Sequence, residues 1–184
     1  MTAPTGTDVS VRIGDLQVVA GDAGSRLVTV GLGSCVGVAV VDLQSGTAGL
    51  AHVFLPEQPP GGPREGAGAG TYADSGIPEL VRRVAEHGAR RTSARQLVAV
   101  VAGGAQMFSG RSGADVGERN VAAVRAALAA AGVRVAAEDL GGSSGRTMRV
   151  EPGQGASVTV RVVGGTEREI WAALRRDETL RAAA

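Results

Sequence analysis

The stretch that most constrains this chain is Val36 to Val41, built from Val, Ala and one Gly with no polar side chain. β-Branched residues at that density favour an extended strand, and a strand without a polar face suits burial on both sides. Upstream, Val28-Thr29-Val30 runs into the tight Gly31-Leu32-Gly33-Ser34, so the pattern reads strand, sharp turn, strand, with Cys35 at the start of the second strand. Gln44-Ser45-Gly46 turns the chain again, and Thr47 to Leu55 returns as a further strand. So short a turn makes these last two strands antiparallel neighbours. That pairing carries His52 back toward the end that bears Cys35.

Cys35 is the only cysteine and His52 one of two histidines. A thiol attacks as its thiolate, an imidazole can take its proton, and a nearby imidazolium lowers the thiol pKa. Glycines at the junction permit positive φ and close approach, and exposed N–H groups there can stabilise an oxyanion. Ser34 and the amide of Cys35 are candidate donors by position, with Gly33 as backbone support. The residues alone leave two readings open: a Cys–His nucleophile and base, or a small buried cysteine in an ordinary hairpin. His87 falls in the last turn of a helix, where the helix dipole accounts for it. No residues have metal-ligand spacing, and the Gly-rich loops lack the Lys of a phosphate loop. No metal or cofactor is therefore expected.

The chain is 43% hydrophobic but only 2% aromatic, so its core is built from Val, Ala and Leu. A formal net charge of +1 gives no electrostatic footprint for nucleic acid or an anionic membrane. No apolar run approaches the roughly 20 residues that span a bilayer. Met1 to Ser10 is polar and lacks the apolar core of a secretory signal, so a cytoplasmic protein is expected. Residues 1–10 read as a flexible end and residues 11–163 as one domain, starting with one or two short strands between Val9 and Ala20. Pro56 to Thr71 is Pro- and Gly-rich and reads as a long mobile loop, either a binding loop beside the chemistry or a tolerated insertion. A helix follows from Asp74 or Ser75 to His87, with Gly88 as its cap. Next come a strand from Arg95 to Ala102 that resumes over Gln106–Phe108, and a loop from Ser109 to Gly117. A second helix from Glu118 to Ala131 stops at Gly132, followed by a strand from Val133 to Glu138. Thr147–Val150 and Ser157–Val163 form a closing hairpin. Residues 164–184 read as a helical extension, since Thr166 and Glu169 make a capping-box pattern and Ile170, Leu174 and Leu180 an apolar side. The fold class is α/β, a layered sandwich with a mixed β-sheet and two long helices plus an extra C-terminal helix.

Five blocks recur in a known order: Thr29-x-Gly31-Leu32-Gly33-Ser34-Cys35-Val36; Ala51-His52-Val53-Phe54-Leu55-Pro56; Gly103-Gly104-Ala105-x-Met107-Phe108; Gly117-Glu118-Arg119-Asn120-Val121; and Asp139-Leu140-Gly141-Gly142-Ser143-Ser144-Gly145-Arg146. With these blocks the sequence resembles the CheD family, the chemoreceptor glutamine deamidases of bacterial and archaeal chemotaxis. The resemblance implies hydrolysis of a protein glutamine side-chain amide, with Cys35 as nucleophile and His52 as base. The family's third residue falls on Thr29, which then orients the imidazole; from the residues alone Thr29 is a plain strand residue. Implied partners are the cytoplasmic domain of a chemoreceptor and a CheC-type phosphatase. Two alternatives stand beside this reading. One is a non-catalytic regulatory module that docks those partners; the other is transfer of the acyl group to an amine instead of water. Arg119 and Asn120 are read as holding the adjacent loop.

Overall fold

A computed structural model describes residues 6–87, 92–106 and 116–173. Two five-stranded mixed sheets stack face to face, and two helices cover the outer face of one of them. Numbered in chain order, the first sheet runs β1 (Thr7–Ser10), β3 (Ser25–Leu32), β8 (Arg146–Glu151), β9 (Ser157–Val162), β10 (Glu167–Ala172). The second runs β2 (Leu16–Val19), β5 (Ala48–Val53), β4 (Val36–Asp42), β6 (Leu97–Gly103), β7 (Arg134–Leu140). The β1–β3 and β6–β7 pairs are parallel and all others antiparallel. The helices are α1 (Ala73–His87) and α2 (Val116–Ala130).

All seven residues of β4 are buried. Because side chains alternate along a strand, Ala39 and Val41 enter the layer between the sheets with Leu27, Leu50, Val100 and Met148. Val36, Val38 and Val40 instead meet Ile77, Leu80 and Val84 of α1 and Val124 and Leu128 of α2. The apolar run has no polar face because it serves two cores. The α2 helix ends as its sequence implies, with Gly132 at φ 71, the left-handed cap that glycine adopts without strain.

Two expectations are corrected. The segment from Thr166 is not a helix: Glu167–Ala172 is strand β10, antiparallel to β9. The turn at Gly164, with φ 78, brings the chain back along an edge of β9 that would otherwise be open, and Ile170 and Trp171 pack on the inter-sheet core. The ladder bonds and this contact outweigh a helical pattern of only a few apolar residues. The N-terminal end is ordered from Thr7, because Thr7 to Ser10 pair with Ser25 to Val28. The 56–71 loop is closed at its neck by a bridge between Leu55 and Tyr72, and Gly70 N–H donates to the Gly14 carbonyl at 2.8 Å. Gly88, Met107 and Phe108, most of the Ser109–Gly117 loop, Leu174 and Leu180 lie outside the described residues.

Candidate active site

The β4–β5 register places Gly37 opposite His52 and Val36 opposite Val53. His52 therefore lies beside the start of β4, immediately after Cys35. On β5, His52 shares its face with Ala48 and Leu50, which belong to the inter-sheet core, and Cys35 packs in that same core. Thr29 follows Leu27 on the inward face of β3. All three side chains thus enter one layer, between the sheets, at one end. Thr29 and His52 are fully buried and Cys35 is 7% exposed.

The backbone around Cys35 is fixed on several sides. Gly31, at φ 79, makes the turn out of β3. Gly33 N–H is spent on the Gly31 carbonyl at 2.9 Å, and the Gly33 carbonyl accepts from Ala105 N–H at 2.7 Å. Both main-chain polar groups of Gly33 are thus engaged within the turn and with Ala105. The Cys35 carbonyl accepts from Gly104 N–H at 2.9 Å. A Cβ on Gly103 would stand 2.3 Å from that same carbonyl oxygen, so the close approach requires glycine. The backbone of His52 is held as tightly: its N–H donates to the Asp15 carbonyl at 3.0 Å and its carbonyl accepts from Gly14 N–H at 2.9 Å.

The Thr29 hydroxyl oxygen lies 2.7 Å from His52 Nδ1 and 2.8 Å from the Val11 carbonyl oxygen. A hydroxyl has one proton, and a carbonyl can only accept. The Thr29 proton therefore goes to Val11, and His52 Nδ1 must be the protonated nitrogen that donates to Thr29. This leaves Nε2 with a free lone pair. Nε2 is buried and, among the described residues, has no hydrogen-bond partner, Cys35 included. Burial holds the imidazole neutral, with its pKa lowered to about 4 against a weaker opposing pull from the Asp15 charge. Burial also raises the Cys35 thiol, partly offset by a backbone hydrogen bond. Both shifts oppose the thiolate–imidazolium pair expected from proximity alone, so thiol and imidazole rest uncharged.

Asn120, fully buried on the inner face of α2, donates from Nδ2 to the Ser34 carbonyl at 3.0 Å and to the Phe54 carbonyl at 3.1 Å. It holds the loop next to Cys35, which is distant in sequence from the start of α2, and it also reaches the exit of β5 just past His52. The signal available in the sequence was a polar side chain one turn before Val124 on an apolar helical face. The part played by Val11 had no such signal, because its contribution is a main-chain oxygen. His87 ends α1 and is no part of this cluster.

The fold and the site define a helix-flanked double-sheet domain in which a lone cysteine at a glycine turn and a hydroxyl-oriented histidine enter the same layer. The family model for CheD chemotactic sensory transduction matches residues 54–162. The chain is 37% identical over 161 residues to the probable chemoreceptor glutamine deamidase CheD of Clostridium botulinum strain Eklund 17B, covering 86% of this chain and 94% of the relative. It is 41% identical over 165 residues to the chemoreceptor glutamine deamidase CheD of Halalkalibacterium halodurans, covering 88% and 98%. A probable chemoreceptor glutamine deamidase CheD of Symbiobacterium thermophilum is 41% identical over 166 residues. The chain belongs to the CheD family.

Proposed function

We propose that this protein hydrolyses the side-chain amide of glutamines in the cytoplasmic domain of chemoreceptors, giving glutamate and ammonia. The observation that carries this reading is the direction of the Thr29 hydrogen bonds. With Nδ1–H given to Thr29, Nε2 carries the one basic lone pair among the described residues of the layer that also holds Cys35. Membership of a family whose relatives are named glutamine deamidases supports the substrate. The site lies in the cytoplasm in this reading, and a CheC-type phosphatase is a docking partner. Among the described residues no helix is long and apolar enough to cross a membrane.

The chemistry follows from an uncharged resting pair. As Sγ of Cys35 attacks the amide carbon, Nε2 of His52 takes the thiol proton, so the thiolate forms only in the presence of substrate. The oxyanion of the tetrahedral species needs a donor close to Sγ, and the Cys35 N–H is the nearest main-chain candidate. Imidazolium then protonates the leaving nitrogen, ammonia departs, and a thioester remains. Water adds to the thioester with Nε2 again as base, and the C–S bond breaks to return the thiol and leave glutamate. Thr29 carries no charge to balance the imidazolium, so its share is orientation.

The test is peptide mass spectrometry of a chemoreceptor cytoplasmic fragment incubated with the protein or with Cys35→Ala. Hydrolysis raises the mass of each converted glutamine by about 1 Da, and the cysteine mechanism requires that shift to vanish with the variant. A shift that persists with Cys35→Ala overturns the mechanism. No shift with folded, reduced wild-type protein moves the role to docking.

A further inference from the structure

We propose that Asn120 is a positioning residue of the active site: it fixes the Ser34–Cys35 peptide plane so that the Cys35 N–H faces the reacting amide. This rests on the assignment of Cys35 as nucleophile. Asn120 spends both protons of its side-chain nitrogen on carbonyls, Ser34 at 3.0 Å and Phe54 at 3.1 Å. Two acceptors on that side fix which end of the amide faces them. Its oxygen, Oδ1, is buried and has no partner among the described residues. An unpaired buried acceptor is unfavourable, and an apolar side chain of similar size, like Val124 one turn further along the same helical face, would avoid it. Packing alone gives no reason for an asparagine here. Its two donors do.

The geometric consequence lies in the peptide that Asn120 holds. Among the described residues no peptide bond is cis. In a trans peptide C=O and N–H point in opposite directions. With the Ser34 carbonyl turned toward α2, the Cys35 N–H is turned away from α2, toward the inter-sheet side where the Cys35 side chain packs. That is where an oxyanion forms when Sγ attacks. The second bond, to Phe54, anchors the same side chain to the strand that carries His52. The beginning of α2 is seated on the loop as well: a Cβ on Gly117 would stand 2.7 Å from the Gly104 carbonyl oxygen, and Gly104 N–H in turn holds the Cys35 carbonyl. Helix, nucleophile turn and base strand are thus locked through one amide.

The experiment compares Asn120→Ala, Val124→Ala and Cys35→Ala in steady-state deamidation of a chemoreceptor fragment, each corrected for folded fraction, alongside the rate at which iodoacetamide alkylates Cys35. A lost oxyanion donor or a misaimed one lowers turnover by about 10²-fold, so Asn120→Ala should lose that much kcat with KM changed by less than about threefold. Val124→Ala truncates the same helical face without touching Ser34 or Phe54 and should keep wild-type kcat. Alkylation builds no oxyanion and should proceed at the wild-type rate in Asn120→Ala. The proposal is overturned if Asn120→Ala keeps its kcat, if Val124→Ala loses as much, or if alkylation falls in step with deamidation. Activity remaining in Cys35→Ala would instead sink the underlying reading of the site, a separate result.

Discussion

Thr29 Oγ1 accepts the Nδ1–H of His52 at 2.7 Å while giving its own proton to the Val11 carbonyl at 2.8 Å. A chain of two hydrogen bonds with one direction thus selects the imidazole tautomer. The hydroxyl is needed for this and the methyl group is not. Thr29→Val should keep KM and lose about 10²-fold in kcat, the low end of what a positioned general base contributes, since His52 itself remains. Thr29→Ser should keep most of it. The same Val substitution strands a buried Nδ1–H and should destabilise the fold by about 1–3 kcal/mol. Kinetics and urea denaturation of the two variants check both, and equal kcat for Val and Ser would remove Thr29 from the mechanism.

The buried imidazole also makes stability depend on pH. The folded pKa of His52 is lowered to about 4, below the 6.5 of an exposed histidine. Between those values the unfolded chain binds a proton that the folded chain refuses. The stabilising share of a neutral His52 is therefore complete above pH 6.5 and is lost as the pH falls toward 4. At about 1.4 kcal/mol per unit the loss is on the order of 3 kcal/mol. His52→Gln should show a flatter decline across that window. Denaturation midpoints measured through it for both proteins decide the matter, and parallel curves would contradict the assignment.

Gly103 faces Val36 across the β4–β6 ladder at φ 116, and any Cβ there meets the Cys35 carbonyl oxygen. Gly103→Ala should therefore combine backbone strain with displacement of the nucleophile turn, destabilising by at least about 2 kcal/mol. The folded fraction should also turn over more slowly. Gly141→Ala, also at positive φ but with open space where its Cβ would go, is the comparison: it carries strain without the collision. Urea denaturation and kcat of the two variants separate those contributions.

Much of this site was legible in the sequence because it depends on short-range features. The Gln44-Ser45-Gly46 turn sets β4 against β5, and that pairing alone brings His52 to the Cys35 end. The helices were legible from their apolar spacing and from Gly132. The C-terminal strand was not, because Ile170 and the Thr166–Glu169 pattern suit a helix locally, while the edge of β9 that overrides them is a tertiary fact. The clearer local sign was Gly164-Gly165, a pair suited to a hairpin turn. Nor could spacing divide the strands between two sheets: β3 and β4 are joined by a tight turn yet belong to different ones. The cysteine turn is one of the points where the chain crosses from one sheet to the other.

That β4 is buried on both faces has a consequence for how reactivity arises. The strand draws one set of its neighbours from the opposing sheet and the other from α1 and α2. A chain with only one of these layers assembled has Cys35 next to a half-solvated strand and lacks either the Asn120 tie, which α2 supplies, or the Thr29–His52 pair, which the opposing sheet completes. In the proposed mechanism, selective amide chemistry therefore requires both layers to be closed, and folding acts as the safety catch on the proposed nucleophile.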